Sequence, residues 1–137
     1  MKNDIFVDTS GFYSLLVKRD LQHNAAKKIL HSAAKTRKRF VTTDYVLDET
    51  ATLLKARGHG FLLAPFFDII FTSKTCRVEW TDSDRFFSAK DLFLKHEEKG
   101  WSFTDCLSFC VMKELKICDA LTKDGHFKQA ELKPLLI

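Results

Sequence analysis

No two cysteines of this chain stand in a C-x-x-C pair, no segment repeats another, and no stretch is of low complexity. Cys76, Cys106, Cys110 and Cys118 therefore show neither a zinc-site spacing nor a disulfide framework. Cys106 and Cys110 fall four apart on an apolar helix, and Cys118 falls in a strand. Buried, reduced thiols acting as small hydrophobes are expected, which suits a reducing cytoplasm. The longest apolar run, 61–71, is broken by Pro65 and Asp68 and is too short to cross a bilayer, so no membrane association is expected. Met1 to Asp4 leads straight into a strand, leaving no room for a secretory leader. With no linker either, the 137 residues are expected to form one domain, 1–137.

What is present is an ordinary globular composition, 45% hydrophobic and 29% charged. A chain of this length buries about two-thirds of its unfolded surface. Thirteen phenylalanines imply a core filled largely by aromatic rings. The net charge of +4 points mildly to a polyanionic partner.

Taken in order, Ile5-Phe6-Val7 is a short continuous apolar run, as in a strand buried on both faces of a parallel sheet. It ends at Asp8-Thr9-Ser10-Gly11, and a short helix follows over 12–17. Leu21, Ala25, Ala26, Ile29, Leu30 and Ala33 keep helical spacing and predict a helix over 21–35. Residues 35–39 form a loop with four positive charges. A second strand is predicted at 40–43, then a helix marked by Val46, Leu47, Thr50, Leu53 and Leu54 and ended by Gly58 and Gly60. Another helix is predicted over 61–73, a strand at 77–80, and an amphipathic helix carrying Phe86, Ala89, Lys90, Phe93 and Leu94. Residues 103–115 predict a helix apolar nearly all round, which belongs in a core. A strand at 117–121, a short helix and the apolar piece 135–137 complete the chain. Strands alternating with helices predict a parallel sheet between helical layers.

Four acids stand out. Asp8 and Asp124 follow strands, and Glu49 and Asp105 sit on helices that begin after strands. In an open parallel sheet, ligands bind beyond the carboxyl ends of the strands, so the four are expected to converge there. Asp105 lies in the first turn of the apolar helix with no countercharge near it in sequence. Glu49 borders an apolar stripe, about 40° from Leu53 on the wheel, which makes it the inward acid and Asp48 the solvent one. Each has a plain alternative. Asp8 and Asp124 suit helix N-caps, Asp105 suits a capping box with Ser102, and Glu49 suits a lysine partner. Jointly the alternatives weaken. Two like charges about 5 Å apart repel by about 3 kcal/mol at an effective dielectric of about 20. Such a cluster calls for a cation, and oxygen ligands without His or Cys favour Mg²⁺ or Mn²⁺ over Zn²⁺. A carboxylate-held divalent ion beside basic loops suits phosphodiester hydrolysis.

Phe6-Val7-Asp8-Thr9-Ser10, the stretch 42–49 ending in Asp48-Glu49, Trp101-Ser102-Phe103-Thr104-Asp105-Cys106, and the stretch 121–127 around Asp124 resemble, in order, the four signatures of PIN-domain ribonucleases. The resemblance covers nearly the whole chain. It implies a three-layer α/β/α fold around a parallel sheet of about five strands. It also implies an Mg²⁺- or Mn²⁺-dependent endoribonuclease, very often the toxin of a toxin–antitoxin pair (the VapC group). Carried over position by position, the metal-binding and catalytic acids are Asp8, Glu49, Asp105 and Asp124, with Thr9 and Thr122 as supporting polar groups. His126 stands where some members carry another acid, which weakens a second metal position, and the chain's end at Ile137 leaves the final strand short.

Two other readings compete. A PIN-like module that binds RNA or protein without cutting need not keep four unpaired acids. A phosphatase with an aspartyl nucleophile would want an acid two after Asp8, where Ser10 stands, while a DNA nuclease would use the same ion. The substrate implied is RNA and the protein partner a small antitoxin. Phe61, Leu62, Phe66, Phe67, Ile70 and Phe71 exceed what one helix flank buries, and they predict a homodimer through this segment. The carboxylates of Asp8, Asp105 and Asp124 are expected to share one ion, with Glu49 at its edge.

Overall fold

Ile5-Phe6-Val7 is fully enclosed and forms β1 (Ile5–Val7), the middle strand of the sheet. The computed structural model describes residues 3–137, so Met1 and Lys2 of the expected leaderless start lie outside the described residues. After β1 come α1 (Thr9–Leu16), α2 (His23–Lys35), β2 (Phe40–Thr43) and α3 (Asp44–Ala56). A short 3-10 turn leads into α4 (Leu63–Thr72), then β3 (Cys76–Glu79), α5 (Ser83–Lys95) and α6 (Phe103–Glu114). The chain closes with β4 (Asp119–Leu121), α7 (His126–Gln129) and the two-residue β5 (Lys133–Pro134).

The five strands lie in the order β3-β2-β1-β4-β5, and every pairing is parallel. From β1 the chain steps outward through β2 to β3, then crosses back to β4 on the other side of β1. Right-handed crossovers then place α1–α4 on one face and α5–α7 on the other. Within the layers α1 meets α2 and α3, α3 meets α4, and α6 meets α5 and α7, while α3 and α6 also touch, through Tyr45 and Phe103. The three-layer α/β/α arrangement with five parallel strands is therefore present. Its order reverses between β1 and β4, which pair Val7 with Leu121 at their carboxyl ends. That crevice is where such folds bind ligands.

α6 is the buried helix the sequence predicts, enclosing Asp105 to Phe109 as well as Val111 and Met112. Phe109 packs edge-on against both Trp101 and Phe127, at centroid distances of 5.1 and 5.0 Å. α6 ends when Lys116 takes a left-handed conformation, φ 58°.

Several local expectations need correction. Leu21 is 97% exposed and precedes α2, because the Asp20 carboxylate accepts from Gln22 N and holds a turn there. The third strand runs Cys76–Glu79 rather than 77–80, leaving Trp80 exposed. β4 starts at Asp119 rather than 117, so Cys118 is exposed, whereas Cys106 is buried and Cys76 and Cys110 are half-buried. All four thiols are free, and burial pushes those of Cys76 and Cys106 up to about 11, so neither is a ready nucleophile. In α4, Phe66 and Ile70 face the core, while Phe61 in the turn before it and Phe67 and Phe71 on it are exposed. Half of the proposed contact segment is thus already used within the monomer.

Gly11 ties this frame to the crevice. A Cβ placed there would stand 2.0 Å from the Leu121 carbonyl oxygen, so α1 rests directly on the end of β4. Gly11→Ala gains helix propensity but collides with backbone that has nowhere to go. It is expected to destabilise the fold by about 1–3 kcal/mol, read from denaturant midpoints at unchanged slope. A neutral or stabilised variant would contradict that packing.

Candidate active site

Asp8 leaves β1 at the crevice and is 4% exposed. It occupies the N-cap position of α1, yet its side chain makes no capping bond. Its Oδ2 instead accepts from Thr122 Oγ1 across the crevice, at 3.0 Å. Thr122, at the end of β4, is wholly buried, and its hydroxyl also lies 3.0 Å from Ser10 Oγ and accepts from Asp124 N. A three-way junction of Asp8, Ser10 and Thr122 thus stitches the two strand ends together. Thr9 Oγ1 donates at 2.6 Å to Glu49 Oε1 on α3. Glu49 is exposed rather than turned into the core, because α3 runs along the rim of an open cleft and its stripe edge faces that opening.

The cleft, of about 200 Å³, has Asp8, Thr9, Ser10, Glu49 and Asp124 on its acidic side. Tyr13, Arg57 and Lys123 supply the rest of its polar wall. The Arg57 guanidinium sits 5.0 Å over the Tyr13 ring, a cation–π contact. Lys123 Nζ is held 3.0 Å from Asp20 Oδ1. Burial alone would raise Asp20, but bonds from Ser14, Lys123 and Gln22 outweigh it and keep that carboxyl below its ordinary value. A wider groove between α5, α6 and α7 measures about 900 Å³, yet it contains none of the four acids.

Asp105 belongs to a second grouping. It completes the capping box with Ser102, since Asp105 N donates to Ser102 Oγ at 3.0 Å and Ser102 N to Asp105 Oδ2 at 3.1 Å. Asp124 also caps locally, accepting from His126 N at 2.9 Å. Capping and clustering therefore coexist. Asp105, Asp124 and His126 each bring one donor atom within 4.8 Å of the others, a group able to hold a metal ion. Asp8 is outside that triplet and meets it through Asp124, which lines the cleft too. Asp48 is exposed.

His126 stands closer to the acids than its place in the sequence suggests. Asp105 has a potential countercharge after all, because His126 Nδ1 lies 3.1 Å from its Oδ2. The only signal was a histidine two after a strand-end acid, in a stretch where spacing cannot reveal a partner 21 residues away.

Crowding and burial act on the acids together. Burial, with Asp105 and Glu49 adding to it against the bonds from Thr9 and Thr122, lifts Asp8 to about 7. Asp105 is raised as well, by burial first and then by Asp124, against its bonds from Ser102 and His126.

The PIN domain family model matches residues 5–133. The 23S rRNA-specific endonuclease VapC20 of Mycobacterium tuberculosis is 36% identical over 134 residues, covering 95% of this chain and 98% of that protein. A VapC ribonuclease of Archaeoglobus fulgidus is 31% identical over 119 residues, covering 85% and 72%. The crystal structure of the Mycobacterium tuberculosis VapC20 toxin, described as cleaving the sarcin-ricin loop, superposes with a TM-score of 0.82 at 35% identity. That superposition covers 94% of this chain and 96% of the other.

The raised acids set a pH dependence. Asp8 titrates near 3.8 when unfolded and near 7 when folded, so folding takes up a proton between those values. Metal-free protein is therefore expected to lose stability as pH rises from about 4 through about 7. Asp20 and Glu114, both lowered, act in the opposite sense but below that window. Asp8→Asn should flatten the decline and stabilise the metal-free protein at pH 7.5 by about 1 kcal/mol or more, read from thermal melts. A destabilised Asp8→Asn variant would mean that the carboxylate is needed for the fold itself.

Proposed function

The chain belongs to the PIN-domain family, and from that membership we propose that it is an Mg²⁺- or Mn²⁺-dependent endoribonuclease, the toxin of a toxin–antitoxin pair. What supports this most is the meeting of acids at the β1–β4 crevice, where burial, with Asp105 and Glu49 adding to it, lifts Asp8 to about 7. The donors fit a divalent ion: Asp105 and Asp124 bring oxygens together beside His126, and Asp8 and Glu49 line a cleft that Asp124 shares. When bound, such an ion supplies an acidified water and stabilises charge on the phosphate. Thr122 and Ser102 orient Asp8 and Asp105 by their hydrogen bonds, and Thr9 does the same for Glu49. Arg57 and Lys123, on the same cleft, set positive charge where an RNA backbone would lie.

Structured ribosomal RNA is the substrate to try first, because VapC20 is named for that target. The partner we propose is a small antitoxin, as for other VapC proteins. Among the described residues no helix is long and apolar enough to cross a membrane, and free thiols suit a cytoplasmic setting. We also assign the exposed aromatics Phe61, Phe67 and Phe71 to a homodimer contact, since Phe71 stacks between Phe67 and Trp80 and extends the apolar surface.

Cleavage of a sarcin-ricin-type RNA hairpin with Mg²⁺ or Mn²⁺ tests the activity. Asp8→Asn and Asp105→Asn are expected to lower the rate by at least about 100-fold, and EDTA to abolish it. Asp48→Asn, on the solvent side of α3, is expected to be silent. Full activity in EDTA or in Asp105→Asn would remove the nuclease reading. For assembly, light scattering at tens of micromolar is expected to show a dimer that Phe71→Asp dissociates, and a wild-type monomer would contradict it.

A further inference from the structure

The group of donors able to hold an ion includes a nitrogen beside its oxygens. His126 Nδ1 stands 3.1 Å from Asp105 Oδ2 and 3.3 Å from Asp124 Oδ1, almost equidistant from two carboxylates. The residue has neighbours on two sides. His126 N donates to Asp124 Oδ1, and the backbone of Gly100 lies so near that a Cβ there would come within 3.4 Å of Nε2. Nδ1 faces the acids, and Nε2 lies on the Gly100 side.

Two arrangements use such a nitrogen. An Nδ1–H donates well to one oxygen at a time, whereas a cation seated among three donors contacts all of them. Adjacent ligands of an octahedral ion with bonds of about 2.1–2.2 Å are about 3.0–3.1 Å apart, √2 times the bond length. The nitrogen's separations from the two carboxylates, 3.1 and 3.3 Å, come within about 0.3 Å of that edge. Imidazole nitrogen is a poor ligand for Mg²⁺ but a good one for transition ions, and Mn²⁺ accepts carboxylates as well.

We propose that His126 Nδ1 is a ligand of the divalent ion beside Asp105 and Asp124, and that this mixed donor set makes the site prefer Mn²⁺ to Mg²⁺. The proposal rests on the nuclease reading only for the presence of an ion. It turns the histidine from a weakened metal position into a selectivity-determining one.

The test is titration of the full chain with Mn²⁺, followed by electron paramagnetic resonance, with Mg²⁺ as competitor. Electron spin-echo modulation of the bound Mn²⁺ should show nitrogen hyperfine coupling in the wild type. The coupling should vanish in His126→Ala and His126→Gln. Mn²⁺ affinity should fall in both variants by on the order of tenfold or more while Mg²⁺ affinity holds, erasing the preference. Metal-free melts establish that the variants fold, and the wild-type spectrum decides the point even if they do not. Bound Mn²⁺ without nitrogen coupling overturns the proposal, as does equal or tighter Mn²⁺ binding by His126→Ala. Either result leaves the nuclease reading intact. Failure of the wild type to bind any Mn²⁺ overturns both.

Discussion

The buried charge of Asp8 is the constraint from which the rest of the structure follows. A carboxylate 4% exposed, beside other acids, is tolerated only if protonated, hydrogen-bonded or met by a cation. Thr122 supplies the one side-chain hydrogen bond that Asp8 receives among the described residues. For that bond to form, β1 and β4 must end level and α1 must start against β4, which the missing side chain of Gly11 permits. The site and the topological switch point are therefore one feature of the fold.

Around that point, the scaffold holds acids from different elements by ordinary local devices. Asp105 is fixed by its capping box, Asp124 by the amide that opens α7, and Glu49 by the hydroxyl of Thr9. Farther off, Arg85 bridges Glu79 and Glu114, joining the end of β3 to α5 and α6. None of these bonds is unusual singly. Their joint effect is to hold the acids in place at one end of the sheet, the preorganisation that the proposed ion site would need.

Much of this was legible in the sequence, for identifiable reasons. Ile5-Phe6-Val7 and Phe40-Val41-Thr42-Thr43 announce doubly covered strands, because a run with no solvent face has few alternatives. Glycines 58 and 60 bracket the exit from α3, and Ser102 with Asp105 spells a cap that exists. Illegible were features set by distant partners. Leu21 keeps a helical spacing by coincidence while Asp20 spends its carboxylate on Ser14, Gln22 and Lys123 to turn the chain. Phe86 and Phe93 look like core residues, yet they lie half-open against Phe103 at the surface. His126 could be paired with Asp105 only once α6 and α7 were packed together.

The central claim is that these carboxylates converge to hold a divalent ion. Crystals of the full chain soaked in Mn²⁺ test it most directly, through an anomalous difference map. A peak is expected at the β1–β4 crevice, within about 2.5 Å of carboxylate oxygens from Asp105 and Asp124 and facing Asp8. A map with no peak there at millimolar Mn²⁺, or with Mn²⁺ bound only at the exposed acids of other helices, would contradict it.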